Sequence, residues 1–280
     1  MNGGTPAALP GPGTAARPGP GRIGPAMRRR RRPFAGVVAA IALWALLTGT
    51  GILDRKNVPT VQAVVAAFGG SPGGIASSLG TTLEALCTGL VIASVAGAVV
   101  GVAVGLSAWA EAATDVIVRM MRPLPSLALI PIAILLAGLG TKMTSGLVAF
   151  AAFWPVFINA RYGTRQVEPR LLEVGRALGF GRWERIWRVV IPSVAPAVAT
   201  GIRIAVGMAT VVTVSVELVA GSGGLGGYVL SAQQGGSIPQ MYAGIIAGGF
   251  LGWLLNLAIG TASAQVLTWD AAAANRAVTP

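Results

Sequence analysis

The chain has 280 residues, 54% of them hydrophobic and 11% charged, with a mean hydropathy of +0.71 and a net charge of +12. Soluble domains carry about 25% charged residues, so a soluble globular fold is excluded, and recurring apolar runs of about 20 residues predict an all-α, polytopic membrane protein. The runs do not alternate with a period of two, which argues against a transmembrane β-barrel, and the absence of histidine removes histidine bases, most zinc sites and haem ligation by histidine.

Residues 1–32 are rich in Gly, Pro and Ala and end in a run of arginines, which reads as a disordered basic tail. The run that follows, 34–53, is long for a signal-peptide core and lacks a small-residue cleavage site, so it reads as a first membrane helix. Residues 54–80 are more polar. Within them, VQAVVAAF (61–68) follows Pro59 and Thr60, a helix start, and predicts a short helix on the outer surface.

A second span is expected at 82–106, with Trp109 at its inner boundary and 111–122 as a short connection. Pro123 and Pro125 precede a third span at 126–139, where Pro131 predicts a kink. The fourth span is expected at 146–159, the fifth at 192–218 and the sixth at 241–267. Together they give a six-helix membrane domain over 33–268 and a short tail over 269–280. In this arrangement all but three of the 21 Lys and Arg, namely Arg55, Lys56 and Lys142, lie on one side. The positive-inside bias makes that side cytoplasmic, with both termini there. The same bias explains the net charge without nucleic acid as a partner. Cys87 is alone, so no intrachain disulfide is possible.

Gly97, Gly101 and Gly105 recur every four residues on one face of the second span. Such a row lets helices approach closely, either inside the subunit or across a dimer. Two acids stand near span ends, Glu84 in the second and Glu217 in the fifth. Each is a candidate for substrate contact by its setting, with a structural or interfacial role weighing more. Arg203 in the fifth span attracts an anion along the path or snorkels to the inner surface.

No phosphate-cradling Gly-x-x-x-x-Gly-Lys-Ser/Thr exists, since the two lysines, Lys56 and Lys142, stand elsewhere. Gly221, Gly223 and Gly226 match the dinucleotide string, but they follow a membrane helix rather than a strand. They read instead as an irregular re-entry between the last two spans.

The strongest signal is a charged loop at about 163–191 and its continuation to Pro192, whose core 173–192 reads EVGRALGFGRWERIWRVVIP. Its charges cannot lie in hydrocarbon, where each would cost about 3 kcal/mol. Residues 173–178 read as a helix with Arg176 opposite its apolar side. Gly179 and Gly181 stop it, and 183–190 resumes a helix with Ile186, Trp187 and Val190 on one stripe. The residues by themselves leave two readings equal, a rigid projection or a helix lying on lipid.

This segment resembles the cytoplasmic signature of bacterial ABC importer permeases, E-A-A-x3-G-x9-I-x-L-P. Glu173 matches its glutamate, Gly179 its glycine, Val189 its isoleucine, Ile191 its leucine and Pro192 its proline. The alanine pair is replaced by Val174 and Gly175. Further stretches are similar to the nitrate/sulfonate/taurine branch: Val58-Pro59-Thr60 with VVAAF, MRPLPSLALIPIAILLAGLG (121–140), FWPVFINARYG (153–163) and VELVAGSGGLGGYV (216–229).

The resemblance covers about 40–265. It implies the type I importer permease fold and a permease subunit that forms the path for a small solute, an anion such as a sulfonate, taurine or nitrate. It implies four partners: an ABC ATPase subunit, a second permease copy, an extracytoplasmic solute-binding protein and the lipid bilayer. No cofactor belongs to this chain, since ATP is handled by the ATPase. Glu173, Val174, Gly175, Ala177, Leu178 and Gly179 are then the ATPase-coupling residues, with Val189, Ile191 and Pro192 leading from loop to membrane. Two other classes stand beside this reading. A stand-alone secondary transporter or channel is disfavoured by the few buried acids. An intramembrane enzyme is disfavoured by the lack of paired carboxylates at membrane depth.

Overall fold

The computed structural model describes residues 32–50, 57–121 and 124–266, and among them the chain is helical with no strand. The two predicted tails lie outside the described residues, apart from Arg32. In chain order the helices are α1 (Arg32–Gly49), α2 (Val61–Gly70), α3 (Pro72–Gly105) and α4 (Ala108–Met121). A 3-10 turn (Ser126–Leu129) leads into α5 (Ile130–Ala137), followed by α6 (Thr141–Arg165) and α7 (Pro169–Ala177). The last three are α8 (Arg182–Ala220), α9 (Gly224–Gln234) and α10 (Ile238–Val266).

The expected count of six spans is not reproduced among the described residues. Four helices are long and apolar enough to cross a bilayer: α3, α6, α8 and α10. A fifth is reached only if α4 and Ser126–Ala137, inclined at 85°, count as one bent span. The third expected span fails at Pro131. Pro131 lies in the first turn of α5, where its missing N–H costs nothing, so it starts a helix instead of kinking one. The eight residues of α5 cover about 12 Å, well short of a bilayer.

Three other boundaries move outward. α3 begins ten residues before the expected second span because Pro72 opens its first turn and Ile75, Leu79 and Leu83 pack against α2 and α10. α6 runs from Thr141 to Arg165, past both ends of the expected fourth span. Pro155 sits inside it, and the Asn159 side-chain amide donates to the Pro155 carbonyl at 2.8 Å. The expected connection at 111–122 is largely the helix α4. The short helix after Thr60 stands as expected, with the Thr60 hydroxyl accepting from the Ala63 N–H at 3.3 Å.

The core is a three-helix slab with α6 between α3 and α8. Leu86 and Ala93 of α3, Val148, Ala152 and Val156 of α6 and Ala205 and Ala209 of α8 are buried together. The glycine row of α3 faces inward, which settles it as packing within the subunit. A Cβ at Gly101 would stand 2.6 Å from the Phe157 carbonyl oxygen, and one at Gly97 would stand 2.9 Å from Cβ of Val156. Gly201 makes the matching approach on the other side, where a Cβ would stand 2.9 Å from the Pro155 carbonyl oxygen. Without side chains at the contact the helix backbones touch, so dispersion and packing hold the slab where lipid offers no hydrophobic drive. Around it, α10 packs on α9, α8 and α2, and α1 is anchored by Trp44, which stacks on Tyr242 and donates to the Pro59 carbonyl at 3.2 Å.

Candidate functional site

One end of the slab carries α7. Pro169 opens this helix four residues before the expected start at Glu173, and Glu168 precedes it in an extended conformation. Its end is a glycine stop of the Schellman type: the Phe180 N–H donates to the Gly175 carbonyl at 2.9 Å and the Gly179 N–H to the Arg176 carbonyl at 2.9 Å. Gly179 holds φ +77, a left-handed conformation that costs a residue with Cβ about 1–2 kcal/mol.

The structure brings most of the expected coupling residues to one outer surface. Glu173, Val174, Ala177, Leu178 and Gly179 are exposed, and Val174 and Leu178 are apolar side chains 56% and 65% open. Leu172 turns the other way and packs with Val167, Val190 and Val194. Gly175 is the exception among the six. It is buried, and a Cβ there would stand 3.3 Å from Cγ of Arg185, so the residue that departs from the signature lies between α7 and α8 rather than on the outer surface.

Val189, Ile191 and Pro192 lie inside α8, which runs unbroken from Arg182 to Ala220. The expected boundary at Pro192 is therefore not a helix start. A π turn over Ile186–Val190 precedes it, a common accommodation where proline cannot donate to the carbonyl four residues back. Val190 is buried, whereas Trp183 and Trp187 are exposed.

The opposite end is built around Glu217. Expected near a hydrated interface, it is instead 1% exposed, because α9 folds back over the end of α8. Its Oε2 accepts from the Thr82 hydroxyl at 2.9 Å and from the Gly226 N–H at 3.1 Å, while the Leu225 N–H donates to Thr82 Oγ1 at 2.8 Å. A carboxylate on the free N–H groups that open α9 serves as a cap supplied from another helix. Oε1 has no hydrogen-bond partner among the described residues and lies against Gly224, where a Cβ would overlap it. Gly221, Gly223 and Gly224 all have positive φ, and Gly226 presses on the α8 backbone. The glycine string is thus a tight reversal into α9.

Arg203 is exposed about 30 Å along α8 from Arg182, beside Gly260 of α10. Glu84 is exposed on α3, on the side away from Thr82. Neither joins the Glu217 cluster. Sequence reasoning missed one group altogether: Glu111 and Asp115 of α4 pair with Arg165 and Arg161 of α6. The signal was present as two acids and two arginines, each pair four residues apart.

The family described as "Binding-protein-dependent transport system inner membrane component" matches residues 89–266. The chain is 30% identical over 231 residues to the putative aliphatic sulfonates transport permease protein SsuC of Bacillus subtilis (strain 168), covering 82% of this chain and 84% of that protein. It is 30% identical over 155 residues to the taurine transport system permease protein TauC of Escherichia coli (strain K12), covering 55% and 56%. With the nitrate import permease protein NrtB of a Synechocystis strain it shares 25% identity over 239 residues, 80% and 85% of the two chains. Among solved structures, an inward-facing conformation of the MetNI methionine ABC transporter superposes with a TM-score of 0.53 at 20% identity. The match covers 69% of this chain and 94% of that one, a likeness of fold.

Proposed function

The chain belongs to the binding-protein-dependent transport system inner membrane component family, and from that premise we propose that it carries a small anion, a sulfonate, taurine or nitrate, along a path completed by a second copy. It is the membrane-spanning permease subunit of an ATP-driven importer, and hydrolysis takes place on a separate ATPase subunit. A solute-binding protein is its other partner. The sulfonate, taurine and nitrate permeases it resembles support the solute class. The arginine bias along the chain supports placing both termini and α7 in the cytoplasm.

The observation that carries the coupling assignment is the outer surface of α7, where Val174 and Leu178 remain open to solvent at the end of a helix fixed to the slab on its other side. An apolar surface of this kind, outside the membrane slab, is suited to a protein partner. In our reading the ATPase holds this surface. ATP shifts the equilibrium between two arrangements by binding them unequally, and α7 transmits the difference because Leu172 and Gly175 seat it against α8.

The test is the assembled importer in lipid vesicles with its binding protein, supplied in turn with ethanesulfonate, taurine and nitrate. We expect one of these anions to stimulate ATP hydrolysis about tenfold and Gly179→Val to remove the stimulation, since the αL position resists a branched side chain. Stimulation by none of the three would reject the solute class. Undiminished stimulation in Gly179→Val would reject the coupling role of α7.

A further inference from the structure

α4 carries Glu111, Asp115 and Val118 at spacings of four and three, one face of a helix. α6 carries Phe157, Arg161 and Arg165 at spacings of four, running the other way. The two rows meet pair by pair. Both carboxylate oxygens of Glu111 accept from Nη1 of Arg165, Asp115 Oδ1 stands 3.6 Å from Nη1 of Arg161, and Val118 shares an apolar cluster with Phe157 and Val104. A slip of one turn would set Glu111 against Arg161 and strand Arg165, so charge fixes the register.

The ladder is uneven. Oδ2 of Asp115 accepts from Arg119 at 2.8 Å, and Arg119 is 79% exposed. Arg161 receives only the longer contact, although it is 7% exposed and its Nε and Nη1 have no hydrogen-bond partner among the described residues. Its guanidinium lies over the Phe157 and Tyr162 rings at 5.9 and 5.6 Å. A solvated surface pair contributes little, whereas a buried cation with unmade hydrogen bonds is costly. Asp115 therefore has a second arrangement within reach, closed on Arg161. α7 follows Arg165 after three residues, and α5, beyond α4, packs beside Val216 near the other end of the slab.

We propose that Glu111 and Asp115 are positioning residues that hold α4 in register along the end of α6, so that displacement of α7 is delivered to α4, with Asp115 exchanging Arg119 for Arg161 as the arrangement changes. This rests on the coupling reading of α7. Hydrogen exchange in the assembled permease–ATPase complex, without nucleotide and with ATP plus vanadate, tests both and needs no solute.

In the wild type, nucleotide should change exchange by about threefold or more over Pro169–Ala177 and over Ala108–Met121. Glu111→Arg should keep the first response and lose the second, and adding Arg165→Glu should restore it. Glu111→Gln serves the same purpose if Glu111→Arg does not assemble. Arg119→Ala, which leaves Asp115 to Arg161, should slow nucleotide-free exchange in α4 by about threefold. Equal or faster exchange there rejects the exchange of partners. An α4 response absent in the wild type, unchanged by Glu111→Arg or Glu111→Gln, or not restored in the swapped pair, overturns the register proposal and leaves the coupling reading standing. A silent α7 in the wild type overturns both.

Discussion

The two ends of the α3–α6–α8 slab handle polar groups in opposite ways. At the Glu217 end, one carboxylate gathers a hydroxyl and a backbone N–H from two other helices and is buried. At the α7 end Glu111 and Arg165 pair near the surface beside the buried Arg161, while Val174 and Leu178 stay exposed. The first end draws the hydrogen bonds of Glu217 Oε2 from within the subunit. The second leaves apolar surface open where a partner can take it up. An end that closes on itself is stiff because every change strands a buried group. An end with surface ion pairs can rearrange cheaply.

This contrast can be broken in three places. Gly224→Val should act most strongly, since it combines a φ of +65 with overlap on the Glu217 carboxyl. We expect a loss of about 3 kcal/mol or more, seen as failure to recover monodisperse permease from detergent. Near-normal recovery would mean that α9 is not pressed on Glu217. Glu217→Gln keeps the shape and one acceptor. It should cost about 1–2 kcal/mol in thermal unfolding while solute uptake by the assembled importer stays within about twofold of wild type. A tenfold fall in uptake at unchanged thermal stability would instead place Glu217 on the solute path. The smallest effect on folding is expected from Val174→Ser with Leu178→Ser, within about 0.5 kcal/mol because both side chains are solvent-facing. Their effect should appear as weaker co-purification of the ATPase, and full retention would sink the docking surface.

Local chemistry made much of this legible. Thr60 marked the start of α2, Gly179 the end of α7, and the four-residue glycine row of α3 the need for a close helix neighbour, since each depends on residues a few positions apart. Helix ends and polar pairings were less legible. The hydropathy pattern stops where charges begin, yet α6 continues through Arg161 and Arg165 because Asp115 and Glu111 receive them from α4. Glu217 looked interfacial by its place near a span end, and only the return of α9 buried it.

The sequence by itself determined the helical membrane class, the family and the short helix that ends at Gly179, because composition, hydropathy and motif spacing are properties of the chain read along its length. The tertiary structure alone decided which neighbour the glycine row meets, how many helices are long enough to span, and where Glu217 and Arg161 find their partners. Those outcomes depend on contacts such as Thr82 with Glu217, 135 residues apart, and Glu111 with Arg165, 54 apart. Pairings at such distances come from packing, which no local pattern encodes.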